Sequence, residues 1–231
     1  MAGVTDKRIP LSRIQRLIGD LMLQSKRHKP HCYLESKADL TDLVAFRKAY
    51  CKRMHLRITT NDFFFCAIAR AVKKYPFMAG QPDPGGDFFR LSKHIGIGFA
   101  VSAPQGLVVP VIKEVENKTL IEIAAESSRL LKNARANKLM PDDFHGDTVL
   151  LSGLGMYGIN SFLAIAPPGA TAIISMGKIV DSLVCIDADM TVRRKMSLSL
   201  AVDRRIVDEF YAAEFLRCII TQLEDPAGLA E

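Results

Sequence analysis

Two hydrophobic periods alternate along this chain, and their order is what most limits its fold. Helical spacing comes first, with Ile14, Leu17, Ile18, Leu21 and Met22 between Arg8 and Lys26 and Pro10 suited to the first turn. Pro30 stops that helix, and His31–Ala38 partly alternates as a strand does. Helical patterns return from about Leu40 to Arg53, with Thr41 or Asp39 as cap, and again from a cap at Thr60 or Asn61 through Phe64, Ile68 and Val72 to Pro76. Gln81–Asp87 is a turn-rich loop. Gly96–Ala103 and Leu107–Lys113 read as strands joined at Pro104-Gln105-Gly106. Thr119 caps a long helix to about Lys138, with Leu120, Ile123, Ser127, Leu130 and Ala134 along one face. Strands then dominate, at Thr148–Ser152, Ala170–Lys178 and Met196–Val202, before a last helix over Asp208–Leu223 ahead of Pro226. Helices and strands mixed in this order predict one α/β sandwich domain.

The bulk properties narrow the function classes. Of 231 residues, 48% are hydrophobic and 24% charged, an ordinary globular balance with ample material for a core. The longest apolar stretches, such as Phe63–Ala69 and Ala170–Met176, fall far short of the ~20 residues a membrane span needs. No apolar signal region opens the sequence, so a cytoplasmic location is expected, or the mitochondrial matrix if the source is eukaryotic, and not secretion. The five cysteines, at 32, 51, 66, 185 and 218, are odd in number and include no C-x-x-C pair. That argues against a disulfide framework or a zinc site and for a reducing compartment. The net charge of +6 is spread over loose clusters at Lys26–Lys29, Arg47–Arg57 and Arg193–Lys195 that form neither a stripe with interleaved aromatics nor a known nucleic-acid module. It suits an anionic ligand or an acidic partner domain.

Six motifs carry a more specific signal. They are Ile9-Pro10-Leu11-Ser12, Ser25-Lys26 followed by Pro30-His31, Asn61-Asp62-Phe63, Gly106-Leu107-Val108-Val109-Pro110-Val111-Ile112, the run GDTVLLSGLGMYG from Gly146 to Gly158, and Asp203-Arg204-Arg205-Ile206-Val207-Asp208. In this order and spacing the chain resembles, from about Ile9 to Pro226, the acyltransferase catalytic domain of pyruvate- and branched-chain-type 2-oxo acid dehydrogenase complexes. The resemblance implies a chloramphenicol-acetyltransferase-like two-layer α/β sandwich with a mixed sheet, occupying residues 9–231 after an N-terminal arm at 1–8. It implies an obligate trimer with each active site between two subunits. Coenzyme A would enter that site from one side and a lipoyl-lysine arm from the other. The expectation is a core without a preceding lipoyl or subunit-binding domain and without a lipoyl lysine of its own, with lipoyl domains acting in trans. No metal is implied. Trimers of this family often build cubic or dodecahedral cages through an apolar C-terminal tail. Here Leu229 is the only sizeable anchor in the tail Asp225–Glu231, so free trimer and cage both stay open.

Acyl transfer between two thiols sets the chemical requirements. A base must take the proton of a thiol that is mostly neutral at pH 7, its pKa being ~8.5. A donor must stabilise the tetrahedral oxyanion, and the approach must position both thioesters. In the family a histidine in Asp-His-Arg-x-x-Asp-Gly is the base, a neighbouring subunit's serine is the donor, and the second aspartate holds an arginine of the first helix. Ser152 matches the serine, although Ser152-Gly153-Leu154-Gly155 on its own residues is equally a plain turn. Arg204 stands in place of the base, and a guanidinium stays protonated. Glu209 replaces the glycine after Asp208, and Gln15 aligns with the first-helix arginine, so Asp208 loses its usual partner. Arg16 next to it faces about 100° away. None of the five histidines reads as a replacement base: His31 reads as structural, His145 lies ~23 Å of strand from Ser152, and His28, His55 and His94 read as surface or loop residues.

Two readings of Arg204 follow. It is an interface arginine paired with Asp203, Asp208 or Glu209, or it closes the channel or binds an anion. Three functions stay open as well. The first is a structural, trimer-forming pseudoenzyme subunit, a homotrimer or a co-assembly with active acyltransferase chains, similar to the core of the E3-binding protein. The second is an acyltransferase that works through an altered site with Ser152. The third is an acyl-CoA-binding module.

Overall fold

The computed structural model describes residues 8–83, 85, 87–104, 106–186 and 188–230. Most of the expected N-terminal arm, two positions of the Gln81–Asp87 loop and the centre of the Pro104–Gly106 turn lie outside the described residues. Helix α1 spans Arg13–His28 and starts later than Pro10 suggests. Ser12 is the reason: its Oγ accepts from the Gln15 N–H at 3.2 Å while Gln15 Oε1 accepts from the Ser12 N–H at 2.8 Å. This reciprocal box satisfies two donors that a helix start otherwise leaves bare.

Strand β1 (His31–Asp39), α2 (Thr41–Met54) and α3 (Thr60–Lys74) follow. Asp39 Oδ1 binds the Thr41 N–H and hydroxyl at the start of α2. Thr59, paired with Asp62, caps α3 in place of the expected Thr60 or Asn61. The predicted hairpin at 96–113 divides in two. Strands β4 (Ile97–Phe99) and β7 (Val111–Ile112) join the main sheet, while β5 (Val101–Ala103) and β6 (Gly106–Val108) form a separate ribbon beyond them. The division falls at Pro110, which has no N–H for a ladder. A second small ribbon, β2 (Gly80–Pro82) with β3 (Phe89–Leu91), flanks the turn-rich loop.

Helix α4 (Leu120–Arg135) carries the expected Thr119 cap and ends earlier than Lys138. Then come β8 (Val149–Gly153), β9 (Ala172–Ile186), β10 (Asp189–Asp203) and α5 (Glu209–Glu224). The six-stranded sheet runs β1-β10-β9-β8-β4-β7 and is parallel only at β9/β8 and β8/β4, so it is mixed. The β9–β10 hairpin is longer than its apolar runs predict. Its outer half places Asp181, Ser182, Arg193 and Arg194 among exposed apolar residues, so no buried run marks it in the sequence.

One sheet face meets the helices. Ile174, Leu198, Leu200 and Val202 pack there with Phe63, Ile68, Phe215 and Ile219 in the main core. On the opposite face Leu150, Ile173 and Ala201 form a smaller cluster with Ala166 and Ala170 of the segment between β8 and β9. Helix α1 stands apart. Ser25 is its only buried residue, and Ile14, Leu17 and Leu21 of its apolar stripe are exposed.

Candidate functional site

The serine end is held by backbone packing. Ser152 sits on β8 in a row with Ser175 and Ser199 of the next two strands, on the same face as Leu150. The chain then turns through Leu154, whose N–H donates to Met176 O at 3.1 Å. A Cβ on Gly155 would lie 2.5 Å from Gly177 O, and one on Gly177 would collide with Asn160 O. These glycines are therefore required by close approach of three backbone segments, beyond any preference for a turn.

The base end is built differently. Asp203 closes β10 opposite His31, is fully buried, and binds the Arg205 guanidinium through two contacts of 2.9 and 2.6 Å. Arg204 turns toward α5, where its Nε lies 2.7 Å from Glu209 Oε1. Glu209 raises the guanidinium's already high pKa, and Arg204 in turn holds the Glu209 carboxyl below its usual range. Of the three carboxylates considered as partners, Glu209 is the one that pairs. The guanidinium is thus neutralised by its neighbour and makes a poor anion site. Asp208 remains, but as the cap of α5, accepting from the Tyr211 N–H at 2.8 Å.

Gln15 belongs to neither end. Its side chain is spent on Ser12, and about 15 Å of helix separates it from Ser25, where α1 meets the body. The three altered positions are thus two events. Arg204 and Glu209 form one ion pair, and Gln15 is a local helix cap.

One group near the base end, Lys29, was not legible as such in the sequence. Lys29 is only 5% exposed, and its Nζ donates to Pro167 O at 2.7 Å and Ala170 O at 2.5 Å. Burial drives its pKa down to about 8, against the pull of Asp203. Ser25 Oγ donates to Ala166 O at 2.5 Å, so α1 and the segment before β9 are pinned together. In a run reading Lys-Arg-His-Lys, nothing marks Lys29 as the buried member, apart from Pro30 fixing the chain's exit after it. His31 stacks on Tyr33, and both ring nitrogens are buried without a hydrogen-bond partner among the described residues. Burial, then Lys26 and Lys29, lower its pKa. Cys32 lies near Arg204 and Glu209, but burial pushes its thiol up, so it is no thiolate. His145 lines a cleft of about 510 Å³ with His94, Lys113 and Asp147.

Ser152 and the base position do not meet within the protomer. From Ser199 in the serine row, Asp203 is four residues further along β10, about 13 Å, and β10 is two strands from β8, about 10 Å. One end therefore presents a hydroxyl and the other a guanidinium paired with a carboxylate, on different parts of the sheet.

Comparison with known proteins places this geometry. Residues 4–231 match the family model of the 2-oxoacid dehydrogenases acyltransferase catalytic domain. The dihydrolipoyllysine-residue acetyltransferase component of the pyruvate dehydrogenase complex of Rickettsia felis is 33% identical over 223 residues, covering 95% of this chain and 54% of that protein. The mitochondrial pyruvate dehydrogenase protein X component of Mus musculus is 30% identical over 233 residues, covering 99% of this chain and 46% of its own length. The chain thus spans about half the length of such relatives.

Among solved structures, dihydrolipoamide acetyltransferase of Azotobacter vinelandii, studied for the role of a serine, a histidine and an asparagine in its catalytic mechanism, superposes with a TM-score of 0.90 at 30% identity over 98% of this chain and 95% of that one. The cubic core of the pyruvate dehydrogenase multienzyme complex gives the same figures. Chloramphenicol acetyltransferase, at 14% identity, 89% and 92% coverage and a TM-score of 0.51, shares the fold. The chain is a member of the 2-oxo acid dehydrogenase acyltransferase catalytic-domain family, with a chloramphenicol-acetyltransferase-like fold.

Proposed function

We propose that this protein is a trimer-forming core subunit of a 2-oxo acid dehydrogenase type of assembly, structural in its main role and impaired in acyl transfer between lipoyl groups and coenzyme A. One observation carries the reading: Arg204, which the motif resemblance aligns with the family's base, is held in an ion pair by Glu209. A protonated guanidinium takes no proton from a thiol, and one held by a carboxylate at 2.7 Å is further from doing so. The unsatisfied stripe Ile14, Leu17, Leu21 on α1 supports assembly with further copies, since a lone protomer leaves it in water. Leu229 is buried in the protomer's own core, which favours a free trimer over a cage held by the tail. The mammalian X component among the relatives fits a non-catalytic role. A cytoplasmic or matrix location fits the bacterial and mitochondrial relatives, and among the described residues no helix is long and apolar enough to cross a membrane.

The intact Ser152 turn favours one second reading, an acyltransferase of low residual rate that uses Ser152 as oxyanion donor on a coenzyme A thioester. The acyl-CoA-binding reading has less support, because Arg204 is already neutralised. Purified protein given acetyl-CoA and dihydrolipoamide discriminates between these. The expected rate is at least about 100-fold below the ~10–100 s⁻¹ of an ordinary enzyme. Turnover in that ordinary range would overturn the structural reading. Light scattering is expected to give three times the 25.5 kDa protomer mass.

A further inference from the structure

The two ends of the site lie on different elements, about 13 Å apart along the sheet and about 10 Å across it. Ser152 faces the side of Leu150, Ile173 and Ala201, whereas Arg204 turns toward α5 on the side of the main core. In the Azotobacter relative a serine and a histidine share one mechanism. Positions so far apart in one chain can share a mechanism only when two chains each bring one. A chain can then lose one half and keep the other.

We infer that this protein is a one-sided subunit: its Ser152 end completes the active site of a histidine-bearing chain of the same fold, while its Arg204 end leaves the next site closed. This rests on the reading of the chain as a co-assembling core. The serine end keeps its shape independently of the base end. Its backbone is fixed by the Gly155–Gly177 and Gly177–Asn160 approaches, which do not involve the base end at all. Ser152 is half-buried, and its hydroxyl is engaged in no hydrogen bond among the described residues. The closed end is equally definite, because Glu209 is the first residue of α5 and keeps Arg204 paired beside it. A trimer with one copy of this chain would retain two working sites of three, so its share of the assembly sets the number of active sites.

The step at such a mixed site balances without a further reagent. The partner's imidazole takes the thiol proton of coenzyme A, and the sulfur attacks the acyl-dihydrolipoyl thioester carbon. Ser152 Oγ–H donates to the carbonyl oxygen as it gains charge. Collapse re-forms the carbonyl and breaks the carbon–sulfur bond to the dihydrolipoyl group, whose leaving sulfur takes the proton back from the imidazolium.

Complementation tests this. A histidine-bearing core of the family with its oxyanion serine changed to alanine is co-expressed with this protein under a second tag, and doubly tagged oligomers are isolated and weighed by native mass spectrometry. Acyl transfer from acetyl-CoA to dihydrolipoamide is expected to exceed that of either parent alone by about 100-fold or more, the scale of one restored oxyanion donor. Ser152→Ala in this chain is expected to remove the gain while leaving its thermal midpoint and the oligomer mass unchanged. Mixed oligomers with no gain, or a gain that survives Ser152→Ala, overturn the inference and leave the core reading standing. If no mixed oligomer forms, the co-assembly reading fails and the inference fails with it.

Discussion

The turn after β8 and the turn after β10, the two places that carry the family's motifs, are constrained by different forces. After β8 the position of Ser152 depends on glycines whose neighbours are backbone atoms, and any added side chain collides. After β10 the side chains of Arg204 and Glu209 are about half exposed and pair with each other. The first arrangement cannot change without moving three backbone segments. The second can change its side chains at almost no structural cost. The difference teaches that a turn embedded in backbone packing tolerates less change than one carried by exposed side chains.

Substitutions test that contrast, the largest effect first. Gly177→Ala should destabilise by about 3 kcal/mol or more, because the new methyl meets Asn160 O with no room to relax. Chemical denaturation measures it, and a loss below about 1 kcal/mol would mean the serine end is not backbone-locked.

Lys29 comes next. Its folded pKa of about 8 lies below the 10.5 of a free lysine, so the folded chain binds the proton less well than the unfolded one. Below pH 8 folding bears the full cost of the buried ammonium, on the order of 3 kcal/mol by linkage, and the cost is relieved as pH rises toward 10.5. The stability of the wild type minus that of Lys29→Met should therefore climb across that window. A flat difference would contradict the buried, depressed lysine.

Ser12→Ala should cost about 1 kcal/mol through the lost cap and leave any acyl transfer untouched, which separates Gln15's box from the site. Smallest of all, Glu209→Gln should leave the unfolding midpoint where it is, since the pair it breaks is solvated.

Much of this was readable from residues alone, and the gaps have physical causes. The mixed α/β order, the Thr119 cap and the place of Ser152 followed from period and motif. The outer half of β9–β10 did not, because paired strands outside the sheet need no apolar run. The split hairpin depended on Pro110 breaking a ladder that the alternation suggested was continuous. Gln15, Glu209 and Arg204 all depart from the family's motifs around Asp208, but sequence order does not show which side chains touch. In space Gln15 binds Ser12, and Arg204 binds Glu209. Lys29 stayed hidden because a basic run gives no sign of which member is buried.

The central claim is that activity is lost at the base end alone. The most direct measurement is the acetyl transfer rate of Arg204→His/Glu209→Gly beside that of the wild type. The double variant should be at least about 100-fold faster, the usual contribution of one general base, with Gln15 left as it is. A double variant no faster than the wild type, in protein of unchanged oligomer mass, would contradict the account and place the loss elsewhere in the chain.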